Sequence, residues 1–363
     1  MEKEKERALK IRGRVVRGFL GGMAYGISGP RLAAAAASGY LFESGDFVGT
    51  IAASLIGIDQ PDYVRNPKKV AIRELKKAIR EFRRNTNGIL GVNIMFAVTN
   101  YSDLVTAAIE ENVDAIFSGA GLARDLPSYL TRYSKTKLVI IVSSAQAARI
   151  ICQIWWKRFG CLPDAFVVEG FLAGGHLGFK KEEIGNPRFA LEVLLKEVLD
   201  EIRPFEIQHN KIIPVFVGGG VSSGEKISNF LDLGASGVQL SSPFVPTHEC
   251  DADLEFKRVY LNAREKDVVI IISPVGMLGR AVRNPFLDEI TNGVKRHVSC
   301  RFKCLKRCNP LESPYCIAEA LLRAQQGDLT NGFAFIGAKG WEADRIISVE
   351  EVFEYFRGGL RIL

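Results

Sequence analysis

The sequence predicts an α/β fold: a TIM (β/α)8 barrel over residues 13–250 with a C-terminal helical extension over residues 251–363. Three observations carry this. Short β-branched runs alternate with helical stretches as far as Leu240, and strand–helix repetition at that interval means parallel strands. About eight such units fit into that length, the repeat number of the barrel. Glycine-rich turns follow several strands, at Gly21–Gly22, Gly119–Gly121, Gly170–Gly178 and Gly218–Gly220, at the end where such a barrel builds its site. A doubly wound sheet is the runner-up.

The eight strands are expected at Val15–Val16 with Phe19–Leu20, Phe47–Ala52, Ile89–Ile94, Ala115–Phe117, Leu138–Val142, Ala165–Val168, Pro214–Val217 and Gly237–Leu240. The helices between them are expected at Pro30–Ala37, Lys68–Arg84, Ser102–Glu111, Ala145–Phe159, Phe189–Arg203 and Gly224–Leu233, with a shorter one at Leu126–Tyr133. Lys68–Arg84 shows the logic. Val70, Ile72, Leu75, Ala78, Ile79 and Phe82 recur at helical spacing with Lys and Arg between them, which lays an apolar stripe on a sheet and exposes the charges. Residues 1–12 read as a tail or frayed helix. After Cys250 the alternation stops, and the remainder reads as helical and irregular, packed on the barrel.

Bulk properties bound the function. The 363 residues are 47% hydrophobic and 25% charged, ordinary for a globular chain with a sizeable core. A net charge of +7 and a pI near 9.0 tilt the field toward anionic ligands. No Arg/Lys stripe with interleaved aromatics is present, so a nucleic-acid partner is not expected. The first residues, MEKEKERALKIRGR, lack an apolar signal region, and no run of about 18 apolar residues follows. A cytoplasmic location without membrane association is expected, with the seven cysteines reduced.

The stretch Val167–Phe179, VVEGFLAGGHLGF, carries the most chemistry. An apolar strand ends at Glu169, four of the next nine residues are glycine, and His176 is one of only four histidines. Glycine lets backbone approach a flat or charged ligand, and a histidine there can move a proton near neutral pH. The alternative is a tight turn with a packed histidine. Other loops converge on the same rim: Gly21-Gly22-Met23 after the first strand, Gly91–Met95 after the third, Ser118–Gly121 after the fourth, Val142–Ala145 after the fifth, Gly218–Gly220 after the seventh and Gln239–Ser242 after the eighth. Such nearly uncharged loops suit a planar cofactor with one phosphate, and loops after strands seven and eight commonly bind phosphate. FMN fits better than a dinucleotide, because no GxGxxG opens a helix after a strand.

On these pieces the chain resembles the nitronate monooxygenases, formerly 2-nitropropane dioxygenases, which are similar to the FMN-dependent enoyl-ACP reductases of bacteria. The matching segments are GGMAYGISGPRLAAA, GVNIM, SGAGLARDLP, VVEGFLAGGHLG, IPVFVGGGVSSGEKISNFLDLGASGVQL, FVPTHECDAD, SPVGMLGRA and GFAFIGAKG. The resemblance implies that Gly21, Gly22 and Met23 pass beneath a flavin ring, that Asn93 and Met95 border it, and that Ser143 and Glu169 contact ring or ribityl. Gly174, Gly175, Gly219, Gly220, Leu240 and Ser241 would hold the phosphate, with Gln239 also in the cofactor set. His176 would stand on the substrate side as the catalytic residue. Leu20 replaces a usual Gln before GGM, Ser242–Pro243 replace a usual Thr-Arg, and GYLFESGDFVGTIA departs from an AGGIG-like pattern.

Cys300, Cys304, Cys308 and Cys316 fall within 17 residues as C-x3-C-x3-C-x7-C. Such density could hold an iron–sulfur cluster or zinc. Equally, steps of four put the first three on one helix face, as buried small residues would be. His209, His248 and His297 have no metal spacing and read as structural.

The leading expectation is an FMN-dependent oxidoreductase that oxidises alkyl nitronates with oxygen, His176 assisting proton movement. The second is an NAD(P)H-dependent enoyl-thioester reductase with an acyl carrier protein as partner. The third is a flavin-binding subunit or sensor without the family activity. The sequence leaves the assembly open, a homodimer being one option.

Overall fold

In the computed structural model, which describes residues 7–42 and 46–360, eight parallel strands close into a barrel. They are β2 (Arg14–Leu20), β3 (Asp46–Ala52), β4 (Ile89–Met95), β5 (Ala115–Gly119), β6 (Lys137–Val142), β7 (Ala165–Glu169), β9 (Val215–Gly218) and β10 (Gly237–Leu240). Each pairs in parallel with the next, and β10 returns to β2 through Gln239 opposite Phe19, so no barrel strand is left with a free edge. All eight overlap the predicted runs. Of the segment GYLFESGDFVGTIA, Glu43 to Gly45 lie outside the described residues.

The connecting helices are α1 (Pro30–Ser38), α2 (Pro67–Asn85), α3 (Tyr101–Glu110), α4 (Ala145–Phe159), α5 (Leu191–His209) and α6 (Gly224–Asp232). Helix α2 buries Val70, Ala71, Leu75, Ala78, Ile79 and Phe82, starts with proline at its first turn and ends on Arg83 and Arg84, favourable at the negative end of the helix dipole. Helix α4 starts at Ser144, whose side chain accepts from Ala147 N, and stops at Gly160 in a left-handed conformation, φ 65°.

Four local readings are corrected. Leu9–Ile11 is not tail or helix but strand β1, paired antiparallel with β2. Its turn puts Arg12 and Gly13 at φ 51° and 77°, the conformation a two-residue hairpin needs. Helix α5 does not end at Arg203 but runs through Pro204 to His209. Buried Glu206 holds that last stretch, accepting from Nη1 and Nη2 of Arg7 and from Ile213 N. The short helix at Leu126–Tyr133 is only a 3₁₀ turn, Leu126–Tyr129. The extension is not purely helical and irregular. Besides α7 (Leu254–Asn262), α8 (Pro285–Thr291), α9 (Ile317–Gln325) and α10 (Val349–Gly358), it contains strands β11 (Val268–Ile272) and β12 (Leu278–Val282). These join β8 (Gly175–Leu177), which lies in the loop after β7, in a three-stranded antiparallel sheet.

The barrel interior is filled from below. Leu9 and Ile11 of β1 pack with Val16, Phe19, Val48, Ile89, Phe117, Val139, Val167 and Phe216. The rings of Phe117 and Phe216 lie 4.8 and 4.1 Å from that of Phe19. The hairpin is pinned by Arg12, whose Nε and Nη2 donate to the two carboxylate oxygens of Asp114 at 2.5 and 2.6 Å; Asp114 also accepts from Leu90 N. A closed base leaves only the opposite end open to ligand.

Because Ile11 is 3% exposed in this plug, Ile11→Ala should lower stability in urea by about 2–4 kcal/mol. A loss below about 0.5 kcal/mol, the range of surface changes, would mean that β1 is not part of the barrel core.

Candidate functional site

A cavity of about 980 Å3 opens at the carboxyl ends of the barrel strands, at the upper end of the roughly 300–1,000 Å3 usual for small-molecule sites. Gly22, Met23, Asn93, Met95, Ser143, Glu169, Gly174, Gly175, His176, Gly219, Gly220, Gln239, Leu240 and Ser241 all line it. The fold thus brings together the residues singled out from the sequence, except Gly21. Gly21 sits just behind the wall: its N donates to Leu240 O at 2.8 Å, and a Cβ there would overlap Ser241 Oγ at 1.9 Å.

Sequence reasoning missed the other half of the cavity. Phe256, Tyr260, Met277, Leu305, Ile317, Phe335, Lys339 and Arg345 come from the extension, and Tyr25 and Leu122 from barrel loops. Met277 and Lys339 lie in SPVGMLGRA and GFAFIGAKG, so those motifs were the available signal. Tyr260 is held by its hydroxyl, which donates to Phe335 O at 2.7 Å.

Three loops meet with no room for side chains. A Cβ on Gly174 would lie 2.6 Å from Gly337 N, and Gly219, at φ +93°, would bring one 2.9 Å from Ala173 N. Glycine is required at both, the second on conformation as well as contact. The loop after β9 contributes Gly219, Gly220, Val221 and Ser222 to the cavity wall and runs into α6, whose Ser223 cap accepts from Lys226 N.

Burial sets the charge state of the two titratable groups from the AGGHLG region. Desolvation pushes the Glu169 carboxyl up to about 7 and the His176 imidazole down to about 4, each favouring its neutral form. His176 stands edge-on to Phe335, ring centroids 5.2 Å apart. Its Nε2 is buried and has no hydrogen-bond partner among the described residues. A buried polar atom left unpaired is costly, and the residue that carries it lines the cavity.

These features fit a planar cofactor bearing one phosphate. On the barrel side the walls are mainly backbone and uncharged side chains, the backbone N–H groups of the glycine corner suit an anion, and His176 carries an unpaired polar atom. FMN would be held by Gly22–Met23, Asn93, Met95 and the glycine corner.

The cysteine segment is corrected. Cys300, Cys304 and Cys308 do not share a helix face, because residues 295–316 form no helix. Lys303 is at φ 44°, Cys304 O accepts from Thr99 N and Lys306 N donates to Ala97 O. These long-range bonds replace the helical pattern and draw the segment over the loop after β4. Among the described residues no three His, Cys, Asp or Glu groups are placed to hold a metal ion. Burial raises the Cys304 thiol to about 12, keeping it protonated. Of the remaining histidines, His209 stacks on Trp156 at 3.5 Å.

Fold and cavity together define a TIM barrel whose cavity at the carboxyl ends of the strands is roofed by its own C-terminal extension. The sequence profile of nitronate monooxygenases matches residues 14–356, and the chain belongs to the nitronate monooxygenase family, a family of oxidoreductase enzymes. A probable nitronate monooxygenase of Staphylococcus aureus (strain Newman) is 30% identical over 129 residues, 35% of this chain and 34% of the relative. The match thus spans about a third of that relative's length. FabK from Thermotoga maritima superposes with a TM-score of 0.71 at 26% identity, over 97% of this chain and 93% of that one. A nitroalkane oxidase from Streptomyces ansochromogenes shares the fold, with a TM-score of 0.70 at 19% identity over 95% of each chain.

The Glu169 shift has a measurable sign. Below the ordinary carboxylate value of 4.5 the group is protonated folded or unfolded; as pH rises through about 7 the folded state must hold a buried charge. The stability of flavin-free Glu169→Gln relative to wild type should therefore rise by about 1–3 kcal/mol between pH 4.5 and 8. Parallel denaturation curves across that window would remove Glu169 from the dry wall of the cavity.

Proposed function

We propose that the chain is an FMN-dependent oxidoreductase that oxidises alkyl nitronates with molecular oxygen in the cytoplasm, His176 assisting proton transfer. The observation that carries the reading is His176, which lines the cavity and whose buried Nε2 has no hydrogen-bond partner among the described residues. Family membership over residues 14–356 supports the reaction class. Among the described residues no helix is long and apolar enough to cross a membrane.

Bound FMN would supply the two-electron redox chemistry. The protein's part is orientation, exclusion of water and control of one proton. Phe256, Met277 and Phe335 narrow the cavity on the extension side, which strengthens electrostatic interactions inside. With its pKa depressed by burial, His176 is neutral near pH 7. A nitronate carries a negative charge; placed against Nε2 it would pull the imidazole pKa back up. The same side chain can then take a proton as substrate binds and return it as charge leaves.

A second reading is NAD(P)H-dependent reduction of an enoyl thioester delivered by an acyl carrier protein. It is supported by the apolar wall of Leu305, Ile317, Leu321 and Val352, with Lys339 and Arg345 also lining the cavity, a combination that suits a chain ending in a phosphorylated carrier group.

Two measurements separate the readings. Purified protein should show flavin absorption bands and take up oxygen with propionate 3-nitronate, while NADH and NADPH leave the flavin oxidised without oxygen. Rapid anaerobic bleaching by a pyridine nucleotide would transfer the proposal to the enoyl reductase, and protein that shows no flavin and takes up no FMN would end both. His176→Asn should keep the flavin spectrum and lower kcat about 100-fold; unchanged kcat would leave His176 a packing residue.

A further inference from the structure

No arginine follows the eighth barrel strand, where Ser242 and Pro243 stand, yet one lies buried behind the glycine corner. Arg280, on β12, is 8% exposed. Its Nε donates to Ala173 O at 3.2 Å and its Nη2 to Phe171 O at 2.7 Å. It forms no ion pair among the described residues, and desolvation is the one influence on its titration. A guanidinium satisfied by neutral carbonyls keeps its whole charge, and keeping that charge out of water without a counter-ion is expensive. An uncharged side chain of similar length would fill the space at lower cost.

The same residue ties together the two segments that form the corner. Its Cα is opposite Gly175 in the β12–β8 register, and its carbonyl accepts from Ile336 N at 3.1 Å. Ala338 N donates to Leu172 O at 2.9 Å. Three successive carbonyls, those of Phe171, Leu172 and Ala173, are thus drawn toward the extension. A carbonyl dipole facing an anion would repel it, so turning these away while fixing a cation behind them makes the cavity side of the loop electropositive.

We propose that Arg280 is a positioning residue for the cofactor phosphate: it braces the 170–175 loop and supplies from behind the positive charge that selects the phosphorylated flavin. It touches no cofactor atom; it acts through the loop. This rests on the FMN reading above, which the same experiment can fail separately.

The test compares two ligands that differ only in the phosphate. Flavin-free wild type, Arg280→Lys and Arg280→Gln are titrated with FMN and with riboflavin, following the quenching of flavin fluorescence, after circular dichroism has shown each folded. Lysine keeps the charge; glutamine keeps a donor for the carbonyls and loses the charge. Wild type should prefer FMN to riboflavin. Arg280→Gln should reduce that preference about tenfold or more, with riboflavin affinity nearly unchanged, and Arg280→Lys should stay within about threefold of wild type. A Gln variant that keeps the wild-type preference, or a Lys variant that loses as much as Gln, overturns the proposal, because a mere brace would weaken both flavins alike. Wild type that binds neither flavin defeats the cofactor reading and this proposal with it.

Discussion

The antiparallel pairing of β8 with β12 is the constraint on which the site depends. Strand β8 is three residues long, Gly-His-Leu, with glycines around it, a sequence with little strand preference of its own. It is a strand because β12 lies beside it, with Gly279 opposite His176. The pairing orients the His176 side chain by strand geometry instead of leaving it on a glycine loop. It also makes the loop after β7 and the extension a single sheet, so the barrel cannot hold its sixth loop in this shape without the last hundred or so residues.

Electrostatics follow from the same closure. Glu169 and His176 shift in opposite directions from one cause, loss of water, and both move toward neutrality. A barrel-side wall kept neutral by burial, with a buried guanidinium behind one corner, attracts anions without neutralising them in advance. That is the environment in which an oriented amide or imidazole counts for most. The exposed ion pairs of the outer helices, such as Arg73 with Asp62, contribute little to this field because solvent screens them.

What was legible in the sequence was what repeats. Strands such as Leu138–Val142 and helices such as Pro67–Asn85 announce themselves by period, and eight of them in order imply closure. The glycine corner was legible because Gly174 and Gly219 have no substitute at their contacts. The rest depended on long-range pairing. Leu9-Lys10-Ile11 is too short between charged residues to read as a strand. Val268–Ile272 is an apolar β-branched run, yet it lies beyond the last strand–helix unit, where the repeat offers no guide. The cysteine spacing of four mimicked a helix face, but Lys303 in a left-handed conformation and the bonds to Ala97 and Thr99 override it.

The division of the cavity between barrel and extension carries a further consequence. The barrel strand ends contribute Gly22, Asn93, Glu169 and Gln239, on elements closed by hydrogen bonds on both sides. The extension contributes Phe256, Met277, Leu305 and Phe335, from a helix, turns and isolated bridges. A change on a barrel strand disturbs two neighbours and the core beneath. A change in a turn such as that carrying Met277, between β11 and β12, alters the cavity wall and little else. Selection on ligand shape therefore acts most cheaply on the extension, while the barrel side stays fixed by packing. Arg280 lies between the two regimes: it belongs to the extension by sequence and to the glycine corner by contact, so the half of the site free to vary is anchored to the half that is not.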